Sequence, residues 1–135
     1  MAAHTEKIEI RPDPAELAGM RAFVRERGRE SGLSESEIFS ACLVATEAVT
    51  NAIRHGTRPG GDEPIEVSAS WDDGGFVVEV GDRGTFIPRV QAAAADDIGG
   101  RGLSLMRHLT RRFDMETSHE GTHLSMLVDA HELAA

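Results

Sequence analysis

A carboxylate and a carboxamide stand four residues apart, as Glu47 and Asn51, in the stretch "ATEAVTNAIRHG" at residues 45–56. Four residues are about one helical turn, so in a helix the two side chains share a face. Ile38, Cys42, Ala45, Val49 and Ile53 form an apolar stripe at helical spacing, which predicts Glu47 and Asn51 on roughly the opposite side. Two readings fit that placement. The pair is either a solvated helix face or a set of groups aimed at a ligand. As ligand groups they are complementary. An amide oxygen is a hard donor suited to Mg2+, and a glutamate one turn away can take a proton from an attacking hydroxyl.

Two glycine-associated clusters bear on the choice. "VEVGDRG" delivers Asp82 at the end of a strand, with Gly84 two residues later. A carboxylate there can accept a hydrogen bond from an exocyclic amine, which adenine has and guanine lacks at that position. In "GGRGLSLM", Gly99, Gly100 and Gly102 flank Arg101 at the start of a helix. Such a terminus presents free backbone N–H groups and a positive dipole end to phosphates. Singly these signals are weak, because Asp-x-Gly is more often a plain turn. The phosphate loop ending in Gly-Lys-Ser/Thr is absent, as is a Gly-x-Gly-x-x-Gly after a strand. The order and spacing of the three together carry the weight, and they point to ATP.

The elements that must position these groups follow from local signals. "KIEIR" alternates and reads as a strand. Asp13 is an N-cap with Pro14 in the first turn, and that helix runs to about Ser31, where Gly32 can stop it. "SESE" at 34–37 fits a capping box and opens the helix that carries Glu47 and Asn51 and ends near Gly56. "IEVSASW", the turn "DDGG" and "FVVEVGD" make a hairpin. "RGTFIPRVQAAAADDIGG" is a long irregular connection of the kind that serves as a lid. "GLSLMRHLTRRF" reads as a helix, and "FDMETS", "HEGT" and "HLSMLVDA" as a closing hairpin. Strand, two helices, two strands, lid, helix and two strands predict an α+β fold. Its form is a two-layer sandwich, a mixed, mainly antiparallel sheet with helices on one face. Residues 1–135 read as one domain.

Composition narrows the function further. A net charge of −9 argues against a nucleic-acid binder, whose affinity rests on neutralising phosphates, and against an anionic membrane surface. It suits docking onto a basic protein partner. No basic segment leads into an apolar run at the N-terminus, and no apolar stretch reaches about 18 residues, so a cytoplasmic location is expected. Cys42 is the single cysteine and is expected to be a buried thiol. His119 and His123 flank a tight turn rather than share a helical face, and no zinc site is expected.

With these residues in place, the chain resembles the GHKL-type ATP-binding domains of gyrase, a heat-shock chaperone, histidine kinases and mismatch-repair ATPases. It is more closely similar to the bacterial anti-sigma-factor serine/threonine kinases. "EAVTNAIRHG" is similar to the N box of that group, "VGDRG" to its G1 box, "GGRGLSLM" to its G2 box and "GTHLSM" to the segment completing the adenine pocket. The resemblance spans about residues 6–129 and implies ATP and Mg2+ as cofactors. It makes Asn51 the Mg2+ ligand and Glu47 the general base or water-orienting carboxylate. Asp82 would contact the adenine amine, with Gly84 permitting close approach and Thr122 supporting Asp82. Gly99, Gly100, Arg101, Gly102 and Leu103 would surround the phosphates. Many relatives have a further glycine two residues after Gly84, where this chain has Phe86, so a differently shaped lid is expected.

The implied activity is transfer of the ATP γ-phosphoryl group to a Ser or Thr of a STAS-type anti-anti-sigma factor. A sigma factor would be held by the same protein, acting as a homodimer. Two alternatives stand beside it: a non-catalytic ATP-binding partner-switch module of the same fold, and the catalytic domain of a histidine kinase. The latter is disfavoured because only some 30 residues precede the helix bearing Glu47, too few for a dimerisation module with a phospho-accepting histidine.

Overall fold

Alternation of apolar and polar residues in five segments produces one sheet with a dry face and a wet face. The computed structural model describes residues 4–56, 63–72, 75–82, 109–110, 112–118 and 121–128. Its strands are β1 (His4–Ile10), β2 (Ile65–Asp72), β3 (Gly75–Asp82), β4 (Arg112–Ser118) and β5 (Gly121–Val128). They lie in the order β1-β2-β3-β5-β4. The sheet was expected to be mixed and mainly antiparallel; all four ladders among the described strands are antiparallel. Ile65, Val67 and Ala69 of β2, Phe76, Val78 and Val80 of β3, and Met126 and Val128 of β5 form the buried face. The other face is polar, with Lys7 beside Glu66 and His123 beside Glu79.

Two helices cover the dry face, α1 (Leu17–Ser31) against β2 and α2 (Glu35–Asn51) against β3 and β5, and they pack on each other. Met20 and Val24 of α1 and Val44 and Val49 of α2 are fully buried. Each such side chain contributes about 1.5–3 kcal/mol by leaving water. Together the layers make the expected two-layer α+β sandwich.

The helix ends follow their local chemistry. Asp13 Oδ1 accepts from the Ala15 N–H at 2.9 Å, opening a single 3-10 turn (Pro14–Glu16) that leads into α1. Gly32 closes α1 at φ +91°, with Leu33 N–H donating to Gly28 O and Gly32 N–H to Arg29 O. That pair of bonds is a Schellman motif, which needs a left-handed residue. Ser34 Oγ accepts from Glu37 N–H and Glu37 Oε1 accepts from Ser34 N–H at 2.7 Å, so the capping box forms as the sequence predicts.

Two expectations need correction. The helix bearing Asn51 does not run regularly to Gly56: α2 ends at Asn51 and continues as a π-helical turn over Ala52–Gly56. The helix expected through Phe113 ends earlier. Leu109 is helical, whereas Arg112 and Phe113 already pair with Leu127 and Met126 as the first residues of β4. Ladder hydrogen bonds with β5 prevail there over the helical spacing of "HLTRRF".

Candidate nucleotide site

Burial along α2 shows how the helix presents its polar pair. The buried residues are Ile38, Ala41, Val44, Ala45, Ala48 and Val49, followed by Ala52. Cys42 and Ile53, expected in the apolar stripe, are only half-buried. At about 100° per residue the buried face is turned by about 60° from the predicted stripe. Alanines at 41, 48 and 52 explain the turn: they carry little hydrophobic signal in the sequence but are buried in the fold. Asn51 therefore lies about 100° from the centre of the buried face, and Glu47 about 140°. Asn51 flanks the core, Glu47 lies nearer the side opposite it, and both are half-buried.

Among the described residues, no hydrogen bond or ion pair involves the side chain of Glu47 or Asn51. The contrast with Glu37 on the same helix is direct, because Glu37 is 4% exposed and is committed to its cap. A half-buried carboxylate and amide, one turn apart and unengaged, suit a ligand that brings its own charge and hydrogen-bonding groups. Asn51 is also the last residue before the π-helical turn, a widening that recurs at functional sites. No local residue pattern in the sequence announces that turn.

Asp82 is the last residue of β3 and is buried on the helix-facing side of the sheet. Its register partner across the β3–β5 ladder is Thr122, and Gly81 pairs with His123. The turn Ala52–Gly56 packs against both of these strands. Thus the elements that carry Asn51, Asp82 and Thr122 are mutually packed. Gly84, Gly99, Gly100, Arg101, Gly102 and Leu103 lie outside the described residues, as do Phe86 and the expected lid.

Other candidates of the sequence take structural roles. Cys42 Sγ donates to the Arg21 carbonyl at 3.7 Å, and burial pushes the thiol up from its ordinary range. That disfavours thiolate chemistry at neutral pH. Among the described residues no group of His, Cys, Asp and Glu side chains could hold a metal through those ligands alone. Among the same residues, no helix is long and apolar enough to cross a membrane.

Comparison with known proteins shows the family. Residues 10–128 match the family described as the histidine kinase-like ATPase domain, and the chain belongs to that family. No curated protein matches the chain. Among solved structures, the RsbU and RsbW domains of Rv1364c from Mycobacterium tuberculosis superpose with a TM-score of 0.73 at 23% identity. That match covers 93% of this chain and 32% of the other. The histidine kinase domain of the blue-light activated histidine kinase EL346 from Erythrobacter litoralis gives a TM-score of 0.63 at 17% identity, covering 87% of this chain and 61% of that one. The chain thus spans about a third of the first and three fifths of the second, and the likeness is one of fold.

Proposed function

We propose that the protein is a Mg2+- and ATP-dependent serine/threonine kinase that also acts as an anti-sigma factor. Its substrate in this reading is a Ser or Thr hydroxyl of a STAS-type anti-anti-sigma protein, and a sigma factor is its second partner. The observation that carries the reading is the unengaged pair Glu47 and Asn51 at the flank of α2, beside the strands bearing Asp82 and Thr122.

In this reading Asn51 offers its amide oxygen to the metal, while the buried Asp82 accepts from the adenine amine. Thr122, opposite Asp82 in the ladder, supports that end of the pocket. Gly84 would let the base approach closely. Gly99, Gly100, Arg101, Gly102 and Leu103 would surround the phosphates. Glu47 accepts the proton as the acceptor hydroxyl oxygen bonds to the γ-phosphorus and the bond to the ADP oxygen breaks. Bound Mg2+ supplies charge neutralisation on the phosphates, so the protein's task is mainly positioning. The likeness to an RsbW domain supports a partner-switching role, and the likeness to a histidine kinase domain favours a second reading, transfer to histidine.

One variant tests the assignment. Glu47→Ala should retain ATP affinity and partner pull-down while phosphoryl transfer falls by roughly 10²- to 10⁴-fold, the usual size of a general-base contribution. Loss of all three activities would make Glu47 structural, and loss of none would make it a bystander. Acid-stable phosphate on the substrate supports the serine/threonine reading; acid-labile phosphate supports the histidine reading.

A further inference from the structure

Both helices lie on one face of the sheet, and among the described residues no element covers the other face. Ladder register fixes what that open face presents. Glu9, Glu66, Gly81, His123 and Glu116 are successive partners across β1, β2, β3, β5 and β4, and they form one row. Lys7, Ser68, Glu79, Ser125 and Asp114 form the next row in the same way. Neighbours along a strand point to opposite faces, so both rows point away from buried Val67, Val78 and Val80.

The two rows hold Glu9, Glu66, Glu79, Asp114 and Glu116 against Lys7 and His123. Glu9 and Glu66 are direct register partners, a like-charge pair that strand pairing alone disfavours. Lys7 lies 3.6 Å from Glu66, and His123 lies 3.8 Å from Glu79. Glu9, Asp114 and Glu116 are exposed and have no ion pair among the described residues. The third row changes character. Val77 and Leu127 are direct partners on the inner strands β3 and β5, and both are half-buried. An apolar pair therefore stands beside a band of carboxylates. Four residues separate Val77 from Gly81, so the pair and the outer acidic row are about 13 Å apart.

We propose that this open face, centred on Val77 and Leu127 and on Asp114 and Glu116 of β4, docks a basic amphipathic helix of a partner protein. A helix is the element that covers a sheet face, and 13 Å matches about nine helical residues. The occupant thus carries an apolar anchor over Val77 and Leu127, with lysines or arginines two to three turns further along the same side. Charge complementarity chooses its sign. The net charge of −9 attracts a basic segment as a whole, and the two acidic rows orient it. The same charge repels nucleic acid and anionic lipid, and a second copy would set carboxylates against carboxylates. A metal ion does not fit either, since no group of His, Cys, Asp and Glu among the described residues could hold one. Asp82 lies on the helix-facing side, so this surface stands or falls separately from the kinase reading.

The test uses the whole chain without nucleotide and three labelled helical peptides followed by fluorescence anisotropy. The first carries leucines at one end of a face and lysines two to three turns along it. The second has glutamate for lysine, and the third has the first one's composition with the lysines moved to the opposite face. The first peptide should bind, and more weakly as salt rises. The double variant Asp114→Lys with Glu116→Lys should weaken it by about tenfold or more and should now bind the glutamate peptide. Leu127→Ser should also weaken it, and Val77→Thr serves as a second variant should that one fail to fold by circular dichroism. Glu26→Lys, an exposed charge reversal on α1, should leave binding unchanged. The proposal is overturned if the first peptide fails to bind, or if either of the other two binds the wild type equally well. It is also overturned if Glu26→Lys weakens binding as much as the β4 variant, which would make the effect one of net charge alone. Self-association of the chain that Leu127→Ser abolishes would overturn it in favour of a second copy.

Discussion

Asp82 and Thr122 are direct partners across the β3–β5 ladder, so the end of β3 is pinned by β5. The pairing holds a buried carboxylate at a fixed height in the sheet. Under the proposed function, the height of the adenine ring relative to α2 is then set by the sheet rather than by a loop.

Asp82→Asn should weaken ATP binding by about tenfold or more and shrink the preference for ATP over GTP. An amide presents one acceptor oxygen where the carboxylate has two, and hydrogen bonds to charged groups are worth about 1.5–3 kcal/mol. Calorimetry with both nucleotides measures this. Full affinity with full discrimination would remove Asp82 from the adenine contact.

Asn51→Ala should abolish the Mg2+-dependent part of ATP binding and leave the fold intact. The residue flanks the core, and no hydrogen bond of its side chain is lost within the described residues. Titrations with and without Mg2+, beside a thermal melt, separate the two effects. Unchanged Mg2+-ATP affinity would exclude Asn51 as the metal ligand.

Gly32→Ala should destabilise the fold by about 1–2 kcal/mol, because the position sits at φ +91° and a Cβ is costly there. Gly32→Asn should cost less, since asparagine tolerates the left-handed region. Urea unfolding of the two variants gives the comparison, and equal stability of alanine and wild type would contradict the strain argument.

Acid should loosen β1. The hydrogen bond from His4 holds the Glu6 carboxyl below its ordinary pKa, burial opposes it, and Arg27 assists. A carboxyl lowered in the folded state contributes stability above its unfolded pKa, near 4.5, and loses it as pH falls through the lower folded value. Hydrogen exchange of β1 amides should accelerate between those values in the wild type. In Glu6→Gln the β1 amides should show no such pH-dependent step.

What was legible in the sequence was local. Asp13, Ser34, Glu37 and Gly32 cap helices through bonds spanning a few residues, and those residue types announce them. The alternation of β2 and β3 announced the hairpin and brought Asp82 to its strand end. The turned face of α2 was not legible, because Ala41, Ala48 and Ala52 are buried although alanine carries little hydrophobic signal. Nor was the π-helical turn after Asn51, whose longer-range backbone bonding leaves no residue signature. The start of β4 at Arg112 depends on β5, a partner that follows it in the chain.

Trp71, the single tryptophan, lies between the His4 ring at 4.6 Å and the Phe76 ring at 6.1 Å. Phe76 is six residues before Asp82 on β3, a span of about 20 Å along an extended strand. The chain's intrinsic fluorophore therefore sits at the far end of the sheet from the candidate adenine contact. Its emission reports on the attachment of β1 and is insulated from direct contact with a nucleotide. A change in that emission on adding ATP would signal a rearrangement carried along the whole strand.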